Sequence, residues 1–345
     1  MGRQMINHRG PEFGKTLNDV TAKLKQIFQT QNDVFVLTGS GTGGLEAAVV
    51  NTLSPGDKVL SVSIGVFGDR FATIAKTFGA EVIPLKFEWG KAADVAEIKS
   101  ALKKNPDVKT VLVTHNETST GVTNDLEKIS AAVKEADKLL LVDAISSLGS
   151  IDLPIDKWGC DVTLTGSQKG WMVPPGLVMA AVSKKAWEAN ASARMPRFYW
   201  DFGKAKSYLE KGQTPWTPAI SIVFALSVAL DMMLKEGMSN ILARHTKLAE
   251  KTRKGVKAMG LKLFADEKYA SNTVTSIAAP EGLVVKDLLK LLREKYDVVL
   301  SGGQSTLQDK IFRIGHLGWV HDDDIDAALK ALQAALPQVG FKGDK

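Results

Sequence analysis

Between Val34 and about Lys185 the chain alternates short apolar runs with longer amphipathic stretches. Val34–Leu37 reads as a strand, followed by a glycine-rich loop and a helix from Leu45 towards Leu53. Pro55-Gly56-Asp57 is a turn, and Lys58–Val62 is the next strand. A helical pattern over Phe71–Phe78 stops at Gly79. Strand Glu81–Leu85, helix Val95–Lys103, strand Val108–Val113, helix Leu126–Ala136 and strand Leu139–Val142 continue the series. Asp161–Leu164 and Leu177–Val182 are its last two strands. Strands that alternate with helices imply an α/β domain with a largely parallel sheet covered on both faces.

The pattern changes after Met195. Residues 195–217 are irregular and rich in aromatics, among them Phe198, Tyr199, Trp200, Phe202, Tyr208 and Trp216. A long apolar helix over Ile220–Lys235 ends at Gly237. Helix Ile241–Met259, strands Leu261–Phe264 and Val274–Ala278, helix Lys286–Lys295 and strand Val298–Leu300 follow. The segment Ile311–Gly315 and a helix over Asp323–Leu336 complete an α+β unit with its own core. The expected division is a large domain over 1–236 and a small C-terminal domain over 237–345. Neither an internal repeat nor a low-complexity linker separates them, so an extensive shared interface is expected.

A length of 345 residues suits one large and one smaller domain. The 44% hydrophobic and 24% charged shares are those of a soluble globular protein. The sequence has no apolar run of about 18 residues and its start has no signal core, so we expect no membrane association and a cytoplasmic location. The single cysteine, Cys160, excludes an intramolecular disulfide and a cysteine-based metal cluster. It reads as a small packed hydrophobe beside a strand, and no metal is expected. The net charge of +6 is spread over lysines such as Lys103-Lys104, Lys184-Lys185, Lys251 and Lys254, among acidic neighbours. That dispersal argues against nucleic acid and for a surface that slightly favours small anions.

The candidate chemistry starts from two residues. The strand Leu139–Val142 runs into Asp143, and Lys169 follows 26 residues later (169 − 143) in Thr165–Gly170, just before Pro174-Pro175-Gly176. A buried strand ending in a carboxylate, then a small-polar loop with a lysine, is an arrangement that pyridoxal 5'-phosphate chemistry needs. The amine bonds to the cofactor aldehyde, and the carboxylate keeps the pyridine nitrogen protonated so that the ring draws electrons.

Thr38–Gly44 is a glycine-rich run between a strand and a helix, where backbone N–H groups and the Ser40 and Thr42 hydroxyls can meet a phosphate. It lacks the Lys-Ser/Thr pair of a Walker loop, and a plain glycine turn explains such a run about as well. In Thr114–Gly121, Thr118 is a candidate donor to a phenolic oxygen, whereas His115 reads as a structural hydrogen-bonding residue. Phe67 suits stacking on a pyridine ring, with an ordinary core aromatic as the alternative. Arg313, between Phe312 and Ile314, can grip a carboxylate with its planar fork; a surface ion pair is the other reading. Arg70, Arg194, Arg197 and Arg293 lack the apolar flanks that single out Arg313.

Together, Ser40-Gly41-Thr42, Phe67, Thr118–Gly121, Asp143, Ser167-Gln168-Lys169, Pro174-Pro175-Gly176 and Arg313-Ile314-Gly315 resemble the class V aminotransferases. The similarity covers about Asn7 to about Leu336 and is strongest to the alanine–glyoxylate and serine–pyruvate group. It implies a type I pyridoxal-phosphate-dependent transferase fold, with a mostly parallel seven-stranded sheet in the large domain, a small C-terminal α+β domain and a homodimer. Lys169 is then the Schiff-base lysine and Asp143 the partner of the pyridine nitrogen. The resemblance gives the phosphate to Ser40, Gly41, Thr42 and Gln168, the two ring faces to Phe67 and Ile145, and the phenolic oxygen to Thr118. Many relatives carry tryptophan or tyrosine where this chain has Phe67. Arg313 is the substrate-carboxylate residue. Thr214 and Thr217, in Thr214–Pro218, match a loop that reaches the phosphate from the second subunit.

The implied reaction is transamination between a small amino acid, alanine or serine, and a 2-oxo acid such as glyoxylate or pyruvate. One departure bears on it. Relatives usually begin with an upstream Gly-Pro-Thr-Pro segment that lines the substrate site and crosses to the partner, and this chain starts after it. Other readings therefore stay open: aspartate transamination, a desulfurase or lyase activity, or a weakly active cofactor-binding dimer. A desulfurase needs a mobile cysteine near its substrate, a task ill suited to Cys160. Some chains of this group carry a hydrogenase-subunit label, yet there is no cysteine cluster here to ligate iron or nickel. The amino donor is set at the side-chain end of the pocket, by loop residues the sequence does not single out.

Overall fold

A computed structural model describes residues 2 and 4–341. Met1, Arg3 and residues 342–345, at the outer ends of the two expected domains, lie outside the described residues. In chain order the strands are β1 (Asp33–Gly39), β2 (Lys58–Ser63), β3 (Glu81–Lys86), β4 (Thr110–Thr114), β5 (Asn116–Glu117), β6 (Val122–Thr123), β7 (Leu139–Asp143), β8 (Val162–Gly166), β9 (Gly176–Val182), β10 (Val274–Ala278), β11 (Ser301–Gly302) and β12 (Ile311–Gly315). Seven of them form one sheet in the order β1-β9-β8-β7-β4-β2-β3. The pairs β2/β3, β2/β4, β4/β7 and β7/β8 are parallel, while β9 runs against both β1 and β8.

Strand side chains alternate between the two sheet faces, and the core divides accordingly. Leu140 and Val142 pack into a cluster with helices Pro11–Phe28 and Ile220–Glu236, through residues such as Phe13, Leu17, Leu226 and Leu230. Leu139 and Leu141 belong to the opposite cluster, with Leu45, Phe71 and Phe202 from helices Gly41–Thr52, Val66–Thr77 and Phe202–Leu209. A sheet buried on both faces explains why its strands read as continuous apolar runs.

The C-terminal part has a separate core of Val256, Ile277, Leu288, Leu292, Phe312 and Leu332 beneath the antiparallel sheet β10-β12-β11. Along β12, Phe312 and Ile314 face that core, so alternation turns Arg313 to the other side. The fold class is as expected: α/β with a mostly parallel seven-stranded sheet and a small, antiparallel C-terminal unit.

Several element boundaries differ from the expectation. The helix after the glycine run begins at Gly41 rather than Leu45, and the next begins at Val66 rather than Phe71. Residues 195–217, expected to be irregular, contain the helix Phe202–Leu209, capped by the Asp201 carboxylate accepting from Lys204 N–H. Leu261–Phe264 is not a strand; Leu263 makes only an isolated bridge to Ile277. Val298–Leu300 is also irregular, and pairing starts at Ser301. Helix Pro11–Phe28 adds an element ahead of the first expected strand.

Candidate active site

Five of the six parallel strands of the large sheet lead to the site at one edge, and the ends of open α/β sheets are where ligands gather. β1 leads into Ser40-Gly41-Thr42, β2 into Gly65 and Phe67, β4 into Asn116–Thr118, β7 ends in Asp143, and β8 leads to Lys169. The register sets Thr114 beside Asp143 and Asp143 beside Leu164, so the carboxylate sits in the middle of that edge. These loops enclose a cavity of about 150 Å³ lined by Ser40, Gly41, Thr42, Phe67, Thr118, Asp143, Ile145, Gln168 and Lys169 among others. Nine residues from the sequence reading therefore meet in one place.

Asp143 is buried, and one carboxylate oxygen accepts from Ile145 N–H at 3.0 Å. Burial pushes this carboxyl from 3.8 to about 7; the Ile145 hydrogen bond opposes the rise, the Glu117 charge adds to it, and the Lys169 and Arg70 charges oppose it. Lys169 is held below the usual lysine range, first by burial and then by the Arg313 charge, against a contrary pull from Asp143. A carboxyl displaced upward and an amine displaced downward in one cavity mark a reactive site.

The glycine run has two functions. Helix Gly41–Thr52 begins there with Ser40 extended and no side chain capping it, so its first N–H groups face the cavity end. A Cβ on Gly41 would lie 2.3 Å from Ile145 Cδ1, and Cβ atoms on Gly39 and Gly43 would meet the Trp200 ring at 2.5 and 2.4 Å. Close packing, as well as conformation, requires glycine here.

Arg313 is buried on β12. Its Nε and Nη2 donate to the Gly302 carbonyl at 3.1 and 2.8 Å, and Nη1 donates to the Thr118 carbonyl at 2.8 Å. Three of the guanidinium's five N–H groups are thus engaged, which leaves one on each terminal nitrogen. Arg313 joins the C-terminal unit to the cavity wall at Thr118.

Three predicted residues are not among those lining the cavity: Arg313, which meets it through the Thr118 carbonyl, and two that lie elsewhere. Thr214 and Thr217 line a separate crevice with Thr38, Tyr199 and Trp216. Thr214 Oγ1 donates to the Trp216 carbonyl, and its own carbonyl accepts from Arg9.

Arg70, set aside in the sequence reading, lines the cavity: its guanidinium lies 4.8 Å from the Phe67 ring centroid and Nη1 is 3.4 Å from Thr42 Oγ1. The legible signal was its i+3 spacing from Phe67 on one helix face. Asn116 and Ser146 were also missed; Asn116 Nδ2 donates to Ser146 Oγ at 2.8 Å and to Thr273 Oγ1 at 3.0 Å. His115 is buried edge-on to Trp158, and burial lowers its pKa to about 4. Cys160 is buried in the core, with its thiol pushed up to about 12. Among the described residues no three His, Cys, Asp or Glu side chains converge as a metal site, and no helix is long and apolar enough to cross a membrane.

A seven-stranded α/β sheet with a half-buried lysine and a buried carboxylate at its strand ends is a scaffold suited to group transfer on a bound cofactor. Comparison with known proteins names the family. The sequence model "Aminotransferase class-V" matches residues 1–320. The chain is 44% identical over 345 residues to "Soluble hydrogenase, small subunit" of Synechococcus sp., covering 99% of this chain and 89% of that one. It is 39% identical over 348 residues to a serine–glyoxylate aminotransferase of Hyphomicrobium methylovorum, covering 99% and 86%. The crystal structure of an alanine–glyoxylate aminotransferase from Nostoc sp. superposes with a TM-score of 0.94 at 29% identity, covering 97% and 90%. The chain belongs to the class-V aminotransferases and is a transaminase.

Proposed function

We propose that this protein binds pyridoxal 5'-phosphate in the strand-end cavity and transfers an amino group between a small amino acid, alanine or serine, and a 2-oxo acid, glyoxylate or pyruvate. The observation that carries this reading is the meeting of Lys169 and Asp143 in one cavity, with the partly unengaged Arg313 fork bonded to the carbonyl of Thr118, one of its lining residues. The glyoxylate-dependent names of the relatives support the acceptor.

The residues present fit the cofactor. The helix N-terminus at Gly41, with the Ser40 and Thr42 hydroxyls and Gln168, offers donors for a phosphate. Asp143 has one oxygen held by Ile145 and the other available for a pyridine N–H. Phe67 and Ile145 line the cavity and are the candidate ring-facing side chains, and Thr118 Oγ1 is the candidate contact to the phenolic oxygen. Bound there, the cofactor supplies an electron sink that acidifies the Cα–H bond of the amino acid.

The protein residues do the rest. Arg313 holds the α-carboxylate with its two remaining N–H groups and so orients Cα. Lys169, more readily neutral than an exposed lysine, would take the Cα proton and hold it on Nζ as the general base. Asp143 as the carboxylate keeps the ring nitrogen protonated.

We also propose that residues 1–236 and 237–345 act as the large and small domains and that the working enzyme is a cytoplasmic homodimer. In it, Thr214 and Thr217 would serve the partner's phosphate rather than their own. The hydrogenase name of one relative finds no matching ligand set among the described residues. A donor–acceptor panel on cofactor-saturated protein tests the reading. Activity is expected with glyoxylate or pyruvate as acceptor and alanine or serine as donor, and no turnover with any such pair would refute it. Preference for aspartate as donor would redirect the substrate assignment alone.

A further inference from the structure

Helix Val66–Thr77 carries Phe67 in its first turn but has no cap of its own, because Gly65 precedes it and offers no side chain. Its first three N–H groups are met from a loop fifty residues away. Glu117 Oε2 accepts from Phe67 N–H and Gly68 N–H, both at 3.1 Å, and Ser119 Oγ accepts from Val66 N–H at 3.0 Å. The other Glu117 oxygen accepts from Ser119 N–H at 3.1 Å and from the Ser119 hydroxyl. Glu117 and Ser119 are both fully buried. A dry carboxyl with four donors, set at the positive end of a helix, has its geometry fixed on both oxygens; burial still pushes it above the usual carboxylate range, against the pull of these hydrogen bonds.

The approach is close enough to dictate Gly65. A Cβ there would lie 2.5 Å from Glu117 Cγ and 2.6 Å from Ser119 Oγ. Between the two capping residues stands Thr118, whose hydroxyl donates to Ser146 Oγ at 2.8 Å and whose carbonyl accepts from Arg313. Residues 117–119 thus fasten together the helix bearing Phe67, the Thr118 hydroxyl and the Arg313 guanidinium.

We propose that Glu117 is a positioning residue: by holding the start of helix Val66–Thr77 against residues 117–119, it fixes Phe67 in its place in the lining of the cofactor cleft, beside Thr118. The inference rests on the cofactor reading above. Glu117 touches neither cofactor nor substrate in this account; it acts through Phe67. Glutamine at this position keeps the shape, but its amide N–H₂ must face N–H donors on one side, so the cap cannot form on both oxygens.

The test is a double-substitution cycle on the full-length protein, read as the dissociation constant for pyridoxal 5'-phosphate and the visible circular dichroism of the bound cofactor. Glu117→Gln is expected to raise the constant about tenfold, the equivalent of about 1.4 kcal/mol, and to shrink the dichroic band. In a Phe67→Ala background the same substitution should change the constant by less than about twofold, because contacting residues are non-additive. A constant unchanged by Glu117→Gln while the thermal midpoint of the cofactor-free protein falls would reduce Glu117 to a helix cap. An equal loss in both backgrounds would show that it does not act through Phe67. If Glu117→Gln does not fold, Ser119→Ala, which removes one arm of the same clasp, enters the cycle with the same criteria and a smaller expected loss. Borohydride labelling of the wild type separates the two levels: label absent from Lys169 sinks the cofactor reading, whereas label present with a failed cycle sinks only this inference.

Discussion

Replacing Asp143 with asparagine should stabilise the cofactor-free protein above neutral pH while weakening cofactor binding. The carboxyl is buried, and in the folded protein it is pushed from 3.8 to about 7, chiefly by burial. A folded-state value raised in this way favours the protonated acid. The associated stability is complete below 3.8 and is lost as pH rises through about 7. The interval corresponds to at most about 4 kcal/mol of cost for holding the ionised form in the fold at pH 8. Asparagine preserves the shape and an oxygen to accept from Ile145 N–H, without the charge. Urea denaturation of cofactor-free protein from pH 4 to pH 8 measures the effect. Asp143→Asn should gain on the wild type as pH rises, by roughly 1–3 kcal/mol at pH 8 after solvent relaxation, and the gap should close near pH 4. With cofactor present the order should reverse, because the wild type gains more ligand-linked stability. A variant less stable than wild type by the same margin at every pH would refute the reasoning, since it would mean that Asp143 carries no buried-charge cost.

Other outcomes follow from the same geometry. Arg313→Lys keeps a charge but loses the fork, so KM should rise for donor and acceptor alike with cofactor content near normal; Arg313→Ala should lose about 2–4 kcal/mol of transition-state stabilisation. Loss of cofactor in either variant would show instead that the Gly302 and Thr118 contacts are its main task. Light scattering at assay concentration should give a dimer, with Thr214→Ala and Thr217→Ala lowering cofactor affinity although neither residue lines the cavity of its own chain. A fully active monomer would contradict that assignment.

The sheet was legible because most of its strands are continuous apolar runs buried on both faces, and most are separated from the next by a helical stretch. Helix starts were less so: Gly41, Gly43 and Gly44 have no side chains to show a period, and the helix at Val66 is capped from Glu117 and Ser119, far along the chain. Pro11–Phe28 did carry the 3–4 spacing of a buried face in Phe13, Leu17, Val20, Leu24 and Ile27, ahead of the stretch from which the strands were read. Val298 and Leu300 look like a strand yet pack on the small core from an irregular segment. In the site, Lys169, Asp143 and the glycine run stood out by type and order. Arg70, Asn116 and Ser146 did not, because their place depends on which strand ends become neighbours. The turn of Arg313 towards Thr118, though, follows from simple alternation with Phe312 and Ile314.

The central claim is that Lys169 is the residue that bonds to the cofactor. Cofactor-saturated protein treated with borohydride and digested should yield one labelled peptide, the one containing Lys169, by mass spectrometry. Lys169→Ala should yield none while still binding cofactor reversibly through Ser40, Thr42, Gln168 and Asp143. Label on another lysine, or no label on saturated wild-type protein, would contradict the account.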